Sequence, residues 1–275
     1  MNLTLRLHRC AAFLAVGTLL AAVPAVASPE PQQPQAPAAT ATTADPESTN
    51  EYRVTAYPSY PLTEKLSGFG YVGYVTNPDS SSGYYSGYLG TGTFYQAKKH
   101  IQLWLGLITV GTNKVAGSNT LELRPFTGAK FMGMTSKKWR YYNWTRYEIR
   151  FTDSVSTGDW TTVHRIRNQS RIDIPLASLA RSWTPKTFYA WTDFEPIWRS
   201  DTGTIDPLRW RSGLGYIVNP HLIAEFQYYA QWTQPTNEGL KYTGNIFRVN
   251  FKIVTKRGLL PQKALRSLLD NSIDQ

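Results

Sequence analysis

The chain has 275 residues, a formal charge of +10 and 13% aromatic residues, with nine Trp and seventeen Tyr. Its one cysteine, Cys10, leaves the rest of the chain without thiols, which excludes disulfide stapling and thiolate metal ligation there. No stretch approaches the ~20 apolar residues that a spanning helix needs, which excludes a helical membrane protein.

Residues 1–27 read as a secretory signal peptide. Arg6 and Arg9, with no acid among them, precede the apolar run 11–20, and Ala25-Val26-Ala27 fits a small-residue cleavage site. Residues 28–50 are rich in Pro, Ala, Thr and Gln and carry Glu30, Asp45 and Glu47. That composition cannot bury a core, so a disordered leader is expected. The remainder holds 27 basic and 16 acidic residues. In an exported protein this surplus favours small anionic solutes, outer-membrane lipid and lipopolysaccharide as partners over nucleic acid.

Residues 51–66 read as an extended segment, placed at an inner rim or as a lumen plug. Strands are then predicted near 67–77, 84–95, 99–111, 119–131, 138–152, 159–174, 185–199, 207–218, 221–233 and 241–256. The breaks between them are mostly short and polar. No segment of helical period intervenes, and residues 257–275 form a short tail. Ten strands satisfy the even count that places both ends of a barrel on one side; twelve is the alternative.

Successive side chains of a strand leave opposite faces, and here the faces differ in kind. In 138–152, Arg140, Arg146, Glu148 and Arg150 share one side while Tyr141, Tyr147, Ile149 and Phe151 take the other. In 159–174 the ionic set is Arg165, Arg167, Arg171 and Asp173, against Ile166 and Ile172. Arg124 follows Glu122 at the same spacing, Arg209 and Arg211 oppose Trp210 and Leu214, Glu225 opposes Phe226, and Arg248 opposes Phe247 and Val249. Such a sheet either closes around water with its apolar face in lipid, or folds over that face as a core.

Strand length favours the first. Most predicted strands reach the ~9–11 residues that a tilted strand needs to span a bilayer, and Trp139, Trp160, Trp198, Trp210 and Trp232 lie toward strand ends, as in interfacial girdles. One strand breaks the rule. His164, Asn168 and Ser170 fall on its lipid face, so either that strand meets a partner there or its register differs.

The motifs Leu123-Arg124-Pro125, Trp144-Thr145-Arg146-Tyr147-Glu148-Ile149-Arg150, Arg165-Ile166-Arg167-Asn168-Gln169-Ser170-Arg171, Phe194-Glu195, Arg209-Trp210-Arg211-Ser212-Gly213-Leu214-Gly215-Tyr216 and Glu225-Phe226-Gln227-Tyr228 occur in this order. Over about residues 95–256 the chain thereby resembles the outer-membrane β-barrel family catalogued as domain of unknown function 2490. The resemblance implies a bacterial outer-membrane barrel and carries over no catalytic residue.

The expected fold is thus an all-β, antiparallel up-and-down transmembrane barrel of about ten strands, comprising residues 67–256. Its lumen wall, and any anion path, comprises Arg124, Arg140, Arg146, Glu148, Arg150, Arg165, Arg167, Arg171, Glu195, Arg209, Arg211, Glu225 and Arg248. These charges either pair across neighbouring strands and fill the lumen, or leave a positive field that favours anions. The expected function is accordingly a structural envelope component or a narrow anion-preferring pore, not an enzyme, with no metal or cofactor. Two alternatives belong to other classes. A lipid- or acyl-modifying enzyme would need a serine beside one of His100, His164 or His221, and no nucleophile motif marks one. A secreted soluble β-sandwich that binds carbohydrate would pack its apolar faces inward.

Overall fold

The computed structural model describes residues 49–78, 83–115, 117–135, 137–234 and 239–255. The signal peptide, nearly all of the leader, and the tail lie outside them. The chain forms β1 (Thr49–Pro61), β2 (Leu66–Asn77), β3 (Tyr84–Lys98), β4 (Ile101–Lys114), β5 (Thr120–Met134), β6 (Arg140–Ser154), β7 (Asp159–Pro175), β8 (Thr187–Arg199), β9 (Ile205–Asn219), β10 (Leu222–Thr233) and β11 (Lys241–Val254). All eleven join one closed barrel.

Eleven strands replace the expected ten or twelve. Residues 51–66 are neither a rim extension nor a plug: most of them lie in β1, a wall strand antiparallel to β2 and parallel to β11. An odd number of strands closes only through one parallel pair, and the β1–β11 register from Thr49↔Gly244 to Ser59↔Val254 supplies it. The parity rule assumes antiparallel closure throughout, and that assumption fails here. Thr49 consequently starts at the rim opposite to the one where Val254 ends. We call the rim carrying the turns at 99–100 and 220–221 the lower rim, and its opposite the upper.

Three prolines interrupt the hydrogen-bond ladders, because proline has no N–H to donate. Pairing lapses at Pro58 between β1 and β2, at Pro125 between β5 and β6, and at Pro196 between β7 and β8. Inward glycines have a different task. A Cβ on Gly215 would lie 2.1 Å from the Tyr189 ring, one on Gly92 would lie 2.5 Å from Phe69, and one on Gly106 would lie 2.7 Å from Phe126. Each glycine leaves the space into which a neighbouring ring lies flat against the wall.

The outer surface is apolar. Leu89 is 68% exposed and Leu105 63%, and Val54, Val72, Leu103, Ile166, Leu214 and Phe226 are exposed with them. Tyr52, Tyr74, Tyr85, Trp160 and Trp198 stand outward toward the upper rim, and Tyr95, Phe131, Tyr141 and Phe188 toward the lower. Trp210 departs from the expected girdle: it sits within β9 opposite Phe194 and Ala230, where its Nε1 donates to Thr192 Oγ1 at 3.0 Å.

The polar residues on the outer wall keep the register read from the alternation. Asn143 Nδ2 donates to Asn168 Oδ1 and to Ser170 Oγ, both at 2.9 Å, while Asn168 Nδ2 donates to Asn143 Oδ1 at 3.1 Å and to Thr145 Oγ1 at 2.8 Å. His164 Nδ1 lies 2.6 Å from Tyr147 OH. The amides of β6 and β7 satisfy one another across the strand pair, so this face needs no partner to supply their bonds.

Candidate functional site: a blind cationic lumen

All of the charged residues assigned to the lumen wall face inward, and acids from neighbouring strands meet them. Glu122 accepts hydrogen bonds from Arg124 and Arg150, with Arg150 Nη2 at 2.6 Å. Glu148 lies 2.7 Å from Arg146 Nε, 3.1 Å from Arg167 Nη1 and 3.9 Å from Arg165 Nη1. Arg167 also reaches Glu195 at 2.7 Å, so it bridges two carboxylates. Glu195 lies 3.7 Å from Arg209 and 3.5 Å from Arg211, whose Nε donates to Asp193 at 2.6 Å. Arg248 is held by hydroxyl groups: it donates to Thr55 Oγ1 at 2.8 Å, to Tyr229 OH at 2.7 Å and to Tyr57 OH. The Arg140 guanidinium stacks 3.8 Å from the centre of the Trp183 ring.

The lower third is sealed. Arg171 donates to Asp173 at 2.5 Å and to Glu225 at 2.7 Å; Glu225 also accepts from Tyr189 OH at 2.7 Å, Lys252 Nζ at 3.0 Å and Asn250 Nδ2 at 3.1 Å. Packed against this network are the side chains of Tyr189, Trp191, Ile217 and Ile223, with the Arg171 guanidinium 4.0 Å from the centre of the Trp191 ring. The turn between β7 and β8, which carries a 3-10 turn at Leu179–Arg181, packs Trp183 against this cluster. Trp183 Nε1 donates to Lys138 O at 2.7 Å. On the adjacent strands β5 and β6, Lys130 Nζ sits 4.0 Å over the Tyr142 ring.

The side chains of Arg199 and Arg150 near the upper rim are 27% and 25% accessible, whereas those of Arg171, Lys252 and Glu225 are 3%, 1% and 0%. Above the seal is a cavity of about 430 Å³. Eleven arginines and five carboxylates line it; Glu122, Asp173, Glu225 and Asp201 pair with lining arginines from outside that set, which leaves a smaller positive surplus at the wall. At its upper end Arg199 binds Asp201 at 2.5 Å, a hydrogen bond that holds the Asp201 carboxyl below its ordinary range.

Sequence reasoning missed two parts of this wall. Glu51 and Arg53 form an ion pair on β1, which was not counted as a strand. The wall formed by β2 to β6 is aromatic: Phe69, Tyr71, Tyr88, Trp104, Phe126 and Trp144 line the same cavity. Parity along each strand was the signal that could have placed them.

Among the described residues, no three His, Cys, Asp or Glu side chains are placed to hold a metal ion. His221 Nδ1 lies 3.1 Å from Val254 O and His164 Nδ1 lies 2.6 Å from Tyr147 OH. No curated protein matches the chain. The family model described as Protein of unknown function (DUF2490) matches residues 51–241, more than half of the chain and including β1 to β3, and the chain belongs to that family.

Proposed function

We propose that this chain is a bacterial outer-membrane barrel, exported by its signal peptide, that serves as an envelope component with a sealed lumen open as a cationic cup at the upper rim. The exposed apolar belt supports membrane insertion, because soluble monomers rarely expose contiguous apolar patches beyond a few hundred Å². The seal supports a closed wall over a standing pore. The observation that carries this reading is Glu225, fully buried and shared by Arg171, Tyr189, Asn250 and Lys252.

The surplus of arginine over carboxylate supports a second reading, passage of small anions once the seal opens. Planar-bilayer recording on the refolded full-length chain separates the two. The sealed barrel gives no steady conductance, whereas a standing anion-selective current under all voltages would replace it with the pore. Fractionation with the outer membrane, and a gel mobility that changes on boiling, test the location. A soluble, heat-insensitive chain would refute it.

A further inference from the structure

The cup has two unlike walls, and both carry hydrogen-bond donors without protein acceptors. On the ionic side Arg165 is only 5% exposed; its Nε has no acceptor, and its Nη1 lies 3.9 Å from Glu148 Oε2. Glu148 cannot neutralise it alone, since Arg146 and Arg167 hold the other oxygen at 2.7 and 3.1 Å. In the register of the sheet, Arg165 also stands directly opposite Arg199. On the aromatic side, the ring of Trp104 lies 5.3 Å from Trp144 and 5.2 Å from Phe69, and the indole Nε1 of both tryptophans is buried without an acceptor. Arg146 joins the two walls, its guanidinium 4.6 Å from the centre of the Trp144 ring.

Resting on the reading of the lumen as a cup, we propose that it is a binding site for a small organic oxyanion. The ligand has a carboxylate or phosphate group for the arginine wall and a flat, carbon-rich face for the aromatic wall. Donor surplus selects the charge: a guanidinium in a cavity with too few carboxylates is completed by added acceptor oxygens, and a planar guanidinium binds them in pairs. The rings select the body. A flat face laid against Tyr71, Tyr88 or Trp144, the partly exposed rings of this wall, gains contact that a bare inorganic ion cannot make. The cavity, about 430 Å³, falls within the size range of small-molecule sites. Closure beneath it makes the site a terminus for the ligand instead of a stage in a channel.

Titration calorimetry on the full-length chain, refolded in non-ionic detergent, tests this with phenyl phosphate, glucuronate, inorganic phosphate and benzyl alcohol. Phenyl phosphate or glucuronate should bind at least about tenfold more tightly than inorganic phosphate and than benzyl alcohol. Arg165→Gln and Trp144→Leu should each remove about tenfold of that affinity while leaving the boiling-dependent gel mobility unchanged. Should either variant fail to fold, the ranking of the four probes on the unmodified chain decides. Equal binding of inorganic phosphate and phenyl phosphate overturns the two-walled site, and no binding of any probe at millimolar concentration overturns the proposal outright. Loss of the barrel reading would show separately, as a mobility that does not change on boiling.

Discussion

Arg171 on β7 donates to Glu225 on β10 at 2.7 Å, although two strands of the wall lie between them. The bond therefore runs through the lumen and ties β7 to β10 past the two strands between them. Replacing Glu225 by Ala leaves Arg171 and Lys252 as buried charges without their shared carboxylate. Removing one partner of such a group costs on the order of 3–5 kcal/mol. We expect Glu225→Ala to lower the midpoint of urea unfolding accordingly, and Glu225→Gln, which keeps the volume and an acceptor oxygen, to lower it less. Equal midpoints for the unmodified chain and Glu225→Ala would show that the network holds nothing.

The same substitution should open the seal. With Glu225→Ala and Trp183→Ala combined, bilayer recording is expected to show anion-selective conductance. Adding Arg146→Gln, Arg165→Gln and Arg209→Gln should then move selectivity toward cations, because Glu148 and Glu195 keep their charge when these arginines lose theirs. Unchanged selectivity would mean that the three arginines do not face the conducting path.

The ionic half of this lumen was legible because its strands alternate charge with apolar residues, so parity alone pointed Arg146, Glu148 and Arg165 inward. The aromatic half was not. In β4 the outward residues Leu103, Leu105 and Leu107 are as apolar as the inward Trp104 and Ile108, so nothing in the polarity pattern distinguishes wall from lumen. β1 escaped the strand count because the parity rule penalised an eleventh strand. Partners that meet through the lumen, such as Arg171 and Glu225, depend on barrel closure, which no local spacing encodes. The long turn at 176–186 stood out only by its length; the placement of Trp183 in the lower mouth came from the fold.

Placement in a membrane predicts an asymmetry between the faces. A Lys or Arg on the lipid face at the bilayer midplane costs ~2–4 kcal/mol. On the outside of a soluble barrel the same change would cost little. Leu89→Lys and Leu105→Lys, at two highly exposed positions of the wall, should each weaken folding into lipid vesicles by that amount and reduce recovery in the outer-membrane fraction. Improved solubility with unchanged stability would instead favour a soluble barrel.

The flat ring over Gly215 gives a packing test independent of charge. A Cβ there would stand 2.1 Å from the Tyr189 ring and meets no other atom as closely. Overpacking of this kind costs ~1–3 kcal/mol, so Gly215→Ala should destabilise the barrel by that much in urea unfolding. In the background Tyr189→Ala, where the ring is absent, the same substitution should cost far less. Additive effects of the two changes would show that the glycine is not kept for the ring.

The outer polar ladder makes the sharpest distinction between a satisfied network and a docking face. Asn143 and Asn168 exchange amide hydrogen bonds at 2.9 and 3.1 Å. Asn168→Leu alone takes from the Asn143 amide the donor to its Oδ1 and one of the two acceptors of its Nδ2, leaving Ser170 Oγ, and should cost about 1 kcal/mol, toward the lower end of the penalty for an unsatisfied polar group. The double change Asn143→Leu and Asn168→Leu removes both partners together and should restore most of that loss. Urea unfolding of the two singles and the double measures the coupling as a double-mutant cycle. If the double variant instead is as unstable as the worse single and loses a larger assembly on size exclusion, the amides serve a subunit contact and not each other.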